Sequence, residues 1–410
     1  MRQPRGSCRF CGARLAHTFA DLGMSPIANN YLAEEQLGRM EPFYPLHALV
    51  CDQCFLVQLE EFETPEEIFS DYAYFSSYST SWLEHCRRYV EAATARFDIG
   101  PRSRVVEIAS NDGYLLQYFA ERGVPVLGVE PAANVAEVAI ERGIPTVVEF
   151  FGTETARRLA ADGQADLIVG NNVLAHVPDL NDFVAGMHVL LASEGAITME
   201  FPHLERLVEE RQFDTIYHEH FSYFSLLTVR RVFAAHGLTV FDVEELPTHG
   251  GSLRIYACHA GARPVTDSVR ELEAREERAG YTHLDTYLAF GEFVRQEKRD
   301  ILEALIGLKN ESKRIVGYGA PAKGNTLLNF CGIGTEFIDF TVDRNPHKQG
   351  RYLPGSHIPI REPEEIERAR PGVVFILPWN LREEIMEQLS FVSDWGGRFL
   401  VRSPGLELYA

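Results

Sequence analysis

Cysteine is scarce in this chain: seven among 410 residues, an odd number. That excludes the disulfide framework of a small secreted domain, which needs paired thiols. Basic residues are also in deficit, 39 Lys and Arg against 59 Asp and Glu, for a formal net charge of −20. So acidic a chain argues against nucleic acid and anionic membranes as partners, although a local pocket can still take a small anion. No apolar run approaches the roughly 18 residues of a membrane helix, and residues 1–12 carry no apolar signal region. The expected setting is cytoplasmic, and the expected state a monomer or weak oligomer. Two glycine motifs are missing as well. There is no G-x-G-x-x-G of a dinucleotide fold and no G-x-x-x-x-G-K-[ST] phosphate loop. What remains is an ordinary globular composition, 45% hydrophobic and 24% charged, long enough for two or three domains with sizeable cores.

The best-organised stretch is residues 107–116, EIASNDGYLL. An apolar lead-in (104–106) precedes it and a helix-like pattern through Phe119 follows, with Gly123 as the expected stop. This reads as strand, acidic residue, tight turn, helix. Gly113, lacking a Cβ, lets the backbone approach a ligand closely. The next strand, 126–129, ends in Glu130 and Pro131. An acidic residue about 20 positions past the glycine turn, at a strand's C-terminal end, suits a ribose diol. A third strand, 166–170, ends in Asn171 and Asn172, and His176 follows where open α/β sheets place their ligand crevice. Glu107, Asn111, Gly113, Glu130, Pro131, Asn171 and Asn172 are therefore the candidate cofactor residues. The succession resembles a class I S-adenosylmethionine methyltransferase more than an NAD enzyme. A bland α/β unit without cofactor is the weaker alternative, because three strand ends carry polar residues in suitable places.

Cys8, Cys11, Cys51 and Cys54 form two Cys-x-x-Cys pairs, with residues 12–50 between them. Two such pairs complete a tetrahedral zinc shell, and four protein ligands leave no open position, so the zinc is expected to be structural. Between the pairs, SPIANNY (25–31) is a turn-rich loop able to reach a neighbouring site. The stretch 70–79, SDYAYFSSYS, is dense in aromatics and hydroxyls. It suits either plain aromatic packing or a lid over a polar ligand, with Tyr74 and Ser77 as lid candidates. Residues 213–225, FDTIYHEHFSYFS, set Tyr217, His218, Glu219 and His220 side by side among aromatics. Such a run offers a base, a neighbour to tune it and apolar walls. If it is extended, Tyr217 and Glu219 face one way and His218 and His220 the other, so spacing does not choose between the histidines. Further on, 314–326 reads as strand, glycine loop and helix. Lys323 and the amides of residues 319–325 suit a diphosphate. Strands at 337–343 and 372–378 complete a second Rossmann-like unit.

These motifs together make the chain similar to the S-adenosylmethionine-dependent sugar C-methyltransferases, the NDP-hexose 3-C-methyltransferase family. The resemblance spans essentially the whole chain and rests on the two Cys-x-x-Cys pairs, SPIANNYL, EIASNDGYLL, IYHEHFSYFS, GYGAPAKGNTLLNFCGIG and VDRNPHKQGRYLPGSHIPI. It implies an α/β fold in three parts: a zinc-binding domain (1–65), a class I Rossmann-like methyltransferase domain (66–265) and a C-terminal Rossmann-like nucleotide-sugar domain (266–410). It implies S-adenosylmethionine and structural zinc as cofactors and a 4-keto nucleotide sugar, dTDP-linked by preference, as substrate. The family's catalytic residues fall on Tyr217, Glu219 and His220, with His176 as a further active-site histidine. Substrate contacts are expected from Gly319, Ala320, Lys323, Asn325, Thr326, Asp343, Asn345 and Lys348. His220 is the expected base, with Glu219 tuning or orienting it. Two other readings are an NAD-dependent nucleotide-sugar oxidoreductase, opposed by the missing glycine fingerprint, and a non-catalytic zinc-bearing protein, opposed by the intact Y-H-E-H cluster.

Overall fold

The computed structural model describes residues 6–64, 75–402 and 405–409. Strands β1 (His17–Ser25), β2 (Tyr44–Val50) and β3 (Val57–Leu59) form an antiparallel meander that follows the first Cys pair and encloses the second. Then come β4 (Val105–Ile108), β5 (Val126–Val129), β6 (Thr146–Val147), β7 (Ala165–Asn171) and β8 (Leu191–Pro202), laid parallel in a second sheet. The two-residue strand β9 (Ser222–Tyr223) returns to the first sheet and pairs with β3. A hairpin of β10 (Leu238–Leu246) and β11 (Ser252–His259) then closes the edge of the second sheet, with β11 antiparallel to β8. The order is β10-β11-β8-β7-β4-β5-β6, the seven-stranded arrangement of class I methyltransferases.

A third sheet follows, made of β12 (Ile315–Tyr318), β13 (Thr341–Val342), β14 (Ile360–Arg361), β15 (Val373–Ile376), β16 (Arg398–Arg402) and β17 (Leu406–Tyr409). Its order is β14-β13-β12-β15-β16-β17, parallel except for β17. The strand expected over 337–343 is only two residues long, because Phe337 and Ile338 instead close a turn onto the carbonyl of Gly334.

The apolar pattern explains these layers. All four residues of β4, of β12 and of β15 are buried, the signature of parallel strands covered on both faces. Each Rossmann-like sheet reverses its winding beside its first strand: between β4 and β7 in the second, and between β12 and β15 in the third. At such a point the helices diverge and leave a crevice beyond the strands' C-terminal ends.

The divisions expected at residues 65 and 265 follow the chain but not the packing. One apolar core joins Phe19, Leu46 and Leu59 of the first sheet to Tyr287, Phe290 and Val294 of the connector helices and to Ile315 and Phe375 of the third sheet. The zinc-binding cysteines pack instead with the core of the second sheet. A buried polar junction adds to this. Asp214, just before the Y-H-E-H run, accepts from Trp379 Nε1 at 2.7 Å and from Arg402 Nη1 at 2.6 Å. Both Asp214 and Arg402 are wholly buried. Removing one partner of such a pair strands the other charge, which costs roughly 3–5 kcal/mol. Asp214→Ala is therefore expected to lower the unfolding free energy by about that much, read from denaturant titration.

Candidate active site

The four predicted zinc ligands converge. Cys8 and Cys54 Sγ lie 3.5 Å apart, as do Cys11 and Cys51, and all four sulfurs fall within 4.8 Å of one another. A tetrahedral shell with Zn–S near 2.3 Å needs sulfur separations of about 3.8 Å, so the arrangement fits the ion. Each pair sits on the same knuckle. The amide of Cys8 donates to Ala13 and that of Gly12 to Cys8; the amide of Cys51 donates to Leu56 and that of Phe55 to Cys51. The residue after each second cysteine is left-handed: Gly12 at φ 75° and Phe55 at φ 62°. Gln58 donates from Nε2 to Cys8 Sγ at 3.2 Å, a hydrogen bond that favours the thiolate.

The predicted cofactor residues gather at the β4/β7 crevice. Positive φ falls at Ala109 (57°), Asn111 (49°) and Gly113 (77°). The loop thus takes a glycine-loop conformation at every second residue with one glycine, and the sequence conceals it. Glu107 is fully buried at the end of β4, and neither carboxylate oxygen has a partner in hydrogen-bonding geometry. The Tyr114 hydroxyl is near enough to draw its pKa down in part, but burial and the charges of Glu130 and Asp112 push it well above the ordinary value. Three acidic side chains around one loop suit a cationic ligand, and the sulfonium and amino groups of S-adenosylmethionine are cations.

Glu130 is already engaged: Oε2 accepts from the Asn111 amide and Oε1 from the Ala132 amide, each at 2.9 Å. Each oxygen keeps a second lone pair for a ribose hydroxyl. Pro131 leads into helix Ala133–Glu141. Asn171 Nδ2 and Asn172 Oδ1 are buried and unpartnered at the end of β7.

Tyr74 lies outside the described residues. Ser77 donates to Asp112 Oδ2, the Ser76 amide to Asn111 Oδ1, and the rings of Phe75 and Tyr78 lie 6.2 and 6.4 Å from that of His347. The described end of the aromatic stretch therefore touches both the loop after β4 and His347.

The Y-H-E-H run is a turn, not an extended strand. The amide of His220 donates to the Tyr217 carbonyl at 2.9 Å, which folds those two side chains together. Tyr217 Oη meets His220 Nε2 at 2.7 Å, and His220 Nδ1 meets the Thr215 carbonyl at 3.1 Å. A carbonyl only accepts, so Nδ1 carries the proton and Nε2 the lone pair. His176 stands edge-on to His220, ring centroids 4.7 Å apart. Burial holds the pKa of His176 down to about 4 and that of His220 well below its ordinary value, so both are neutral at pH 7.

His218 is turned elsewhere. Its Nε2 meets the Pro45 carbonyl at 3.2 Å and its ring packs beside Tyr44 and Phe62. Glu219 was expected to orient His220, but its hydrogen bonds go to Asn29 Nδ2, at 2.8 and 2.9 Å. Burial raises its pKa to about 7 against the lowering effect of Asn29 and Lys348.

In the C-terminal domain the expected phosphate amides are partly committed. The Gly319 amide donates to Val342 at 2.6 Å, that of Ala320 to Asp343 Oδ2 at 2.8 Å, and that of Asn325 to Pro321 at 3.1 Å. Only the first-turn amides of helix Ala322–Cys331 are left for an anion by helix geometry. Asp343 also accepts from the Asn345 amide, and Lys348 Nζ donates to the Ala320 carbonyl, so these residues brace the loop. Thr326 Oγ1 donates to the Ile216 carbonyl and braces the catalytic turn. Asn325 is wholly buried with neither end of its amide partnered. Lys323 donates to Asn380 Oδ1 at 2.8 Å, stands over the Trp379 ring, and acts electrostatically on His220 and His249. Burial lowers its pKa to about 8.

Two residues at this site went unassigned in the sequence. His249, at φ 57°, places Nε2 3.1 Å from Asn172 Nδ2, with Trp82 beside its ring. Asn29 reaches Glu219 from the loop between the Cys pairs. The signal for His249 was its place before β11: an antiparallel neighbour of β8 must begin at the C-terminal end of that strand, by the crevice.

A Rossmann-like sheet with a cofactor crevice of this kind, joined to a four-cysteine domain, defines a class I S-adenosylmethionine-dependent methyltransferase. Three family models match in succession: "Putative zinc binding domain" over residues 8–69, "Methyltransferase domain" over 82–243 and "C-methyltransferase C-terminal domain" over 247–404. C-methyltransferase NovU of Streptomyces niveus is 37% identical over 404 residues, 98% of this chain and 96% of its own. The chain belongs to this C-methyltransferase family. A Synechocystis magnesium protoporphyrin IX methyltransferase with bound S-adenosylhomocysteine aligns at 14% identity and TM-score 0.35, over 43% of this chain and 83% of that one. No helix among the described residues is long and apolar enough to cross a membrane.

Protein purified without chelators is expected to carry about one zinc per chain. Cys51→Ser should lose it and destabilise the N-terminal domain, since ligation is coupled to folding; metal analysis reads this. Glu130→Ala is expected to weaken S-adenosylhomocysteine binding by roughly 1–3 kcal/mol for lost hydrogen bonds to a charged group, measured by calorimetry. An unchanged dissociation constant would place the ribose elsewhere.

Proposed function

We propose that the chain methylates carbon 3 of a nucleotide-linked sugar bearing a ketone at carbon 4, with a dTDP-sugar preferred. The observation that supports this best is the Tyr217/His220 pair. One imidazole nitrogen is pinned to the Thr215 carbonyl, and the other, the basic one, accepts from the Tyr217 hydroxyl beside His176. Carbon beside a ketone is acidic because its electron pair delocalises onto the oxygen. His220 Nε2 takes that proton, and the pair becomes an enolate. Tyr217 Oη, turning from Nε2 to the enolate oxygen as His220 takes the proton, is the candidate donor there, and His176 is a candidate for placing the sugar. S-adenosylmethionine supplies an electrophilic methyl group whose transfer leaves a neutral thioether. The protein's further work is positioning: base, enolate carbon and methyl must share one geometry.

The nucleotide is assigned to the crevice of the third sheet. Asn325 and the first helix-turn amides offer unspent hydrogen bonds there, Lys323 a positive charge, and Gly319, Ala320, Asp343, Asn345 and Lys348 a braced rim. The expected cytoplasmic setting and the monomer or weak oligomer stand as part of the same proposal. An NAD oxidoreductase and a non-catalytic zinc protein lose their basis with the family assignment.

His220→Asn keeps a similar shape but accepts no proton at neutral pH. Turnover is expected to fall about 10²–10⁴-fold, the usual share of general-base catalysis, with affinities largely kept. His218→Asn should cost much less. Solvent deuterium exchange into carbon 3, followed with S-adenosylhomocysteine bound, checks the step without methyl transfer. Normal exchange in His220→Asn would rule that residue out as the base.

A further inference from the structure

The loop between the two Cys pairs ends inside the catalytic site. Its turn over residues 27–30, closed by the Asn30 amide on the Ile27 carbonyl, presents the half-buried Asn29 to Glu219. One side-chain NH2 reaches both carboxylate oxygens, Oε1 at 2.8 Å and Oε2 at 2.9 Å. The other end of the amide is also committed: Tyr31 Oη lies 3.1 Å from Asn29 Oδ1. Tyr31 Oη also lies 2.6 Å from the Ala320 carbonyl, which accepts from Lys348 Nζ at 2.9 Å. Tyr31 has one hydroxyl proton for its two acceptors, so it bridges Asn29 and the third-sheet loop rather than bonding one of them alone. The Lys348 ammonium stands 5.1 Å over the Tyr31 ring and 3.8 Å from Asp343. A chain of polar contacts thus runs from the C-terminal glycine loop through the N-terminal domain to the catalytic turn.

We propose that Asn29 is a positioning residue by which the zinc-bearing domain completes the active site, holding the Glu219 side chain as a carboxylate in fixed orientation. The chemistry follows from the geometry. An amide nitrogen almost equidistant from both oxygens, its N–H shared between them, suits a carboxylate, which only accepts. A carboxylic acid would aim its own O–H at that nitrogen and lose the bond. The other groups facing Glu219 are few. Lys348 favours the ionised form from the C-terminal domain, Tyr31 bears on it electrostatically, and His176 lies against its backbone carbonyl as a neutral ring. Burial works the other way and brings the balance to about pH 7, so a modest change at Asn29 decides which form is present in working conditions. An ionised Glu219 in turn offsets the positive charge that His220 gains with the substrate proton. This last clause rests on the enolate reading above; the coupling of Asn29 to Glu219 does not.

The test is an infrared difference titration of the full-length zinc-loaded protein, following the carboxylic-acid carbonyl band that Glu219→Gln removes. The wild-type midpoint is expected near pH 7. Asn29→Ala should move it upward. Asn29→Asp, nearly isosteric and so the safer variant for folding, should move it further, because it sets a like charge against Glu219. Tyr31→Phe frees the amide to turn and should give a smaller rise. In methyl transfer, the rising limb of the pH–rate profile should shift with the midpoint. The rate at pH 7 should fall about 10- to 100-fold, the worth of hydrogen bonds to a charged group, with S-adenosylhomocysteine affinity and zinc content kept. Unchanged midpoints in Asn29→Ala and Asn29→Asp overturn the proposal. A wild-type protein that titrates as described but methylates no keto sugar would overturn the enolate reading and leave the Asn29 coupling standing.

Discussion

The hydrogen bond from the His220 amide to the Tyr217 carbonyl is the contact on which the arrangement of the Y-H-E-H side chains depends. It turns four consecutive polar residues into a corner, and each side chain leaves that corner in its own direction. Tyr217 and His220 meet each other, His218 enters the apolar edge of the first sheet, and Glu219 meets the loop between the Cys pairs. The corner is held by its surroundings. β9, two residues on, is bonded into the first sheet, and Asp214, three residues before Tyr217, is bonded to Trp379 and Arg402 of the C-terminal domain. A turn on a free loop would not keep an imidazole nitrogen within reach of one carbonyl. This one is fixed on both sides by elements distant in the chain.

Electrostatics divide the interior into two unlike regions. Around the cofactor loop, Glu107, Asp112 and Glu130 are buried close together, and burial with mutual repulsion raises the pKa of Glu107 and Glu130. Among the described residues Arg142 is the one cation paired with Asp112, from the exposed side. A cationic ligand would relieve that cost. Around the Y-H-E-H turn the pattern is reversed: the buried His220 and the half-buried His176 and His249 are held neutral, with Lys323 nearby. Neutral bases beside a cation suit a step that removes a proton and leaves negative charge on oxygen.

The four-cysteine domain does more than bring its sulfurs together. Its knuckles pack on the second sheet, its strands on the connector helices, and its loop on Glu219. The two knuckles also show how one backbone need is met by different residues. Glycine supplies the left-handed position at 12, whereas Phe55 adopts it at 55 and stacks its ring on Tyr287, centroids 5.6 Å apart. That stacking offsets the cost of a left-handed phenylalanine.

Local chemistry determined much of this protein. Two Cys-x-x-Cys pairs are sufficient for a four-sulfur site, because ligand type and spacing are local properties. Apolar runs ending in Glu107, Glu130 and Asn171 were sufficient for a Rossmann-like crevice, since buried parallel strands and their polar ends have a fixed period. The left-handed residues Ala109 and Asn111 were hidden, because backbone conformation imposed by packing leaves no mark when glycine is absent. The turning of His218 away from His220, the contact of Glu219 with Asn29, and the entry of His249 into the site came from tertiary structure; spacing left the histidines open, and only resemblance favoured His220. Each depends on a contact between residues far apart in the chain, from Asn29 to Glu219 and from Asn172 to His249. Sequence spacing carries the direction of a side chain only while the element is regular, and a turn held by two other domains is not.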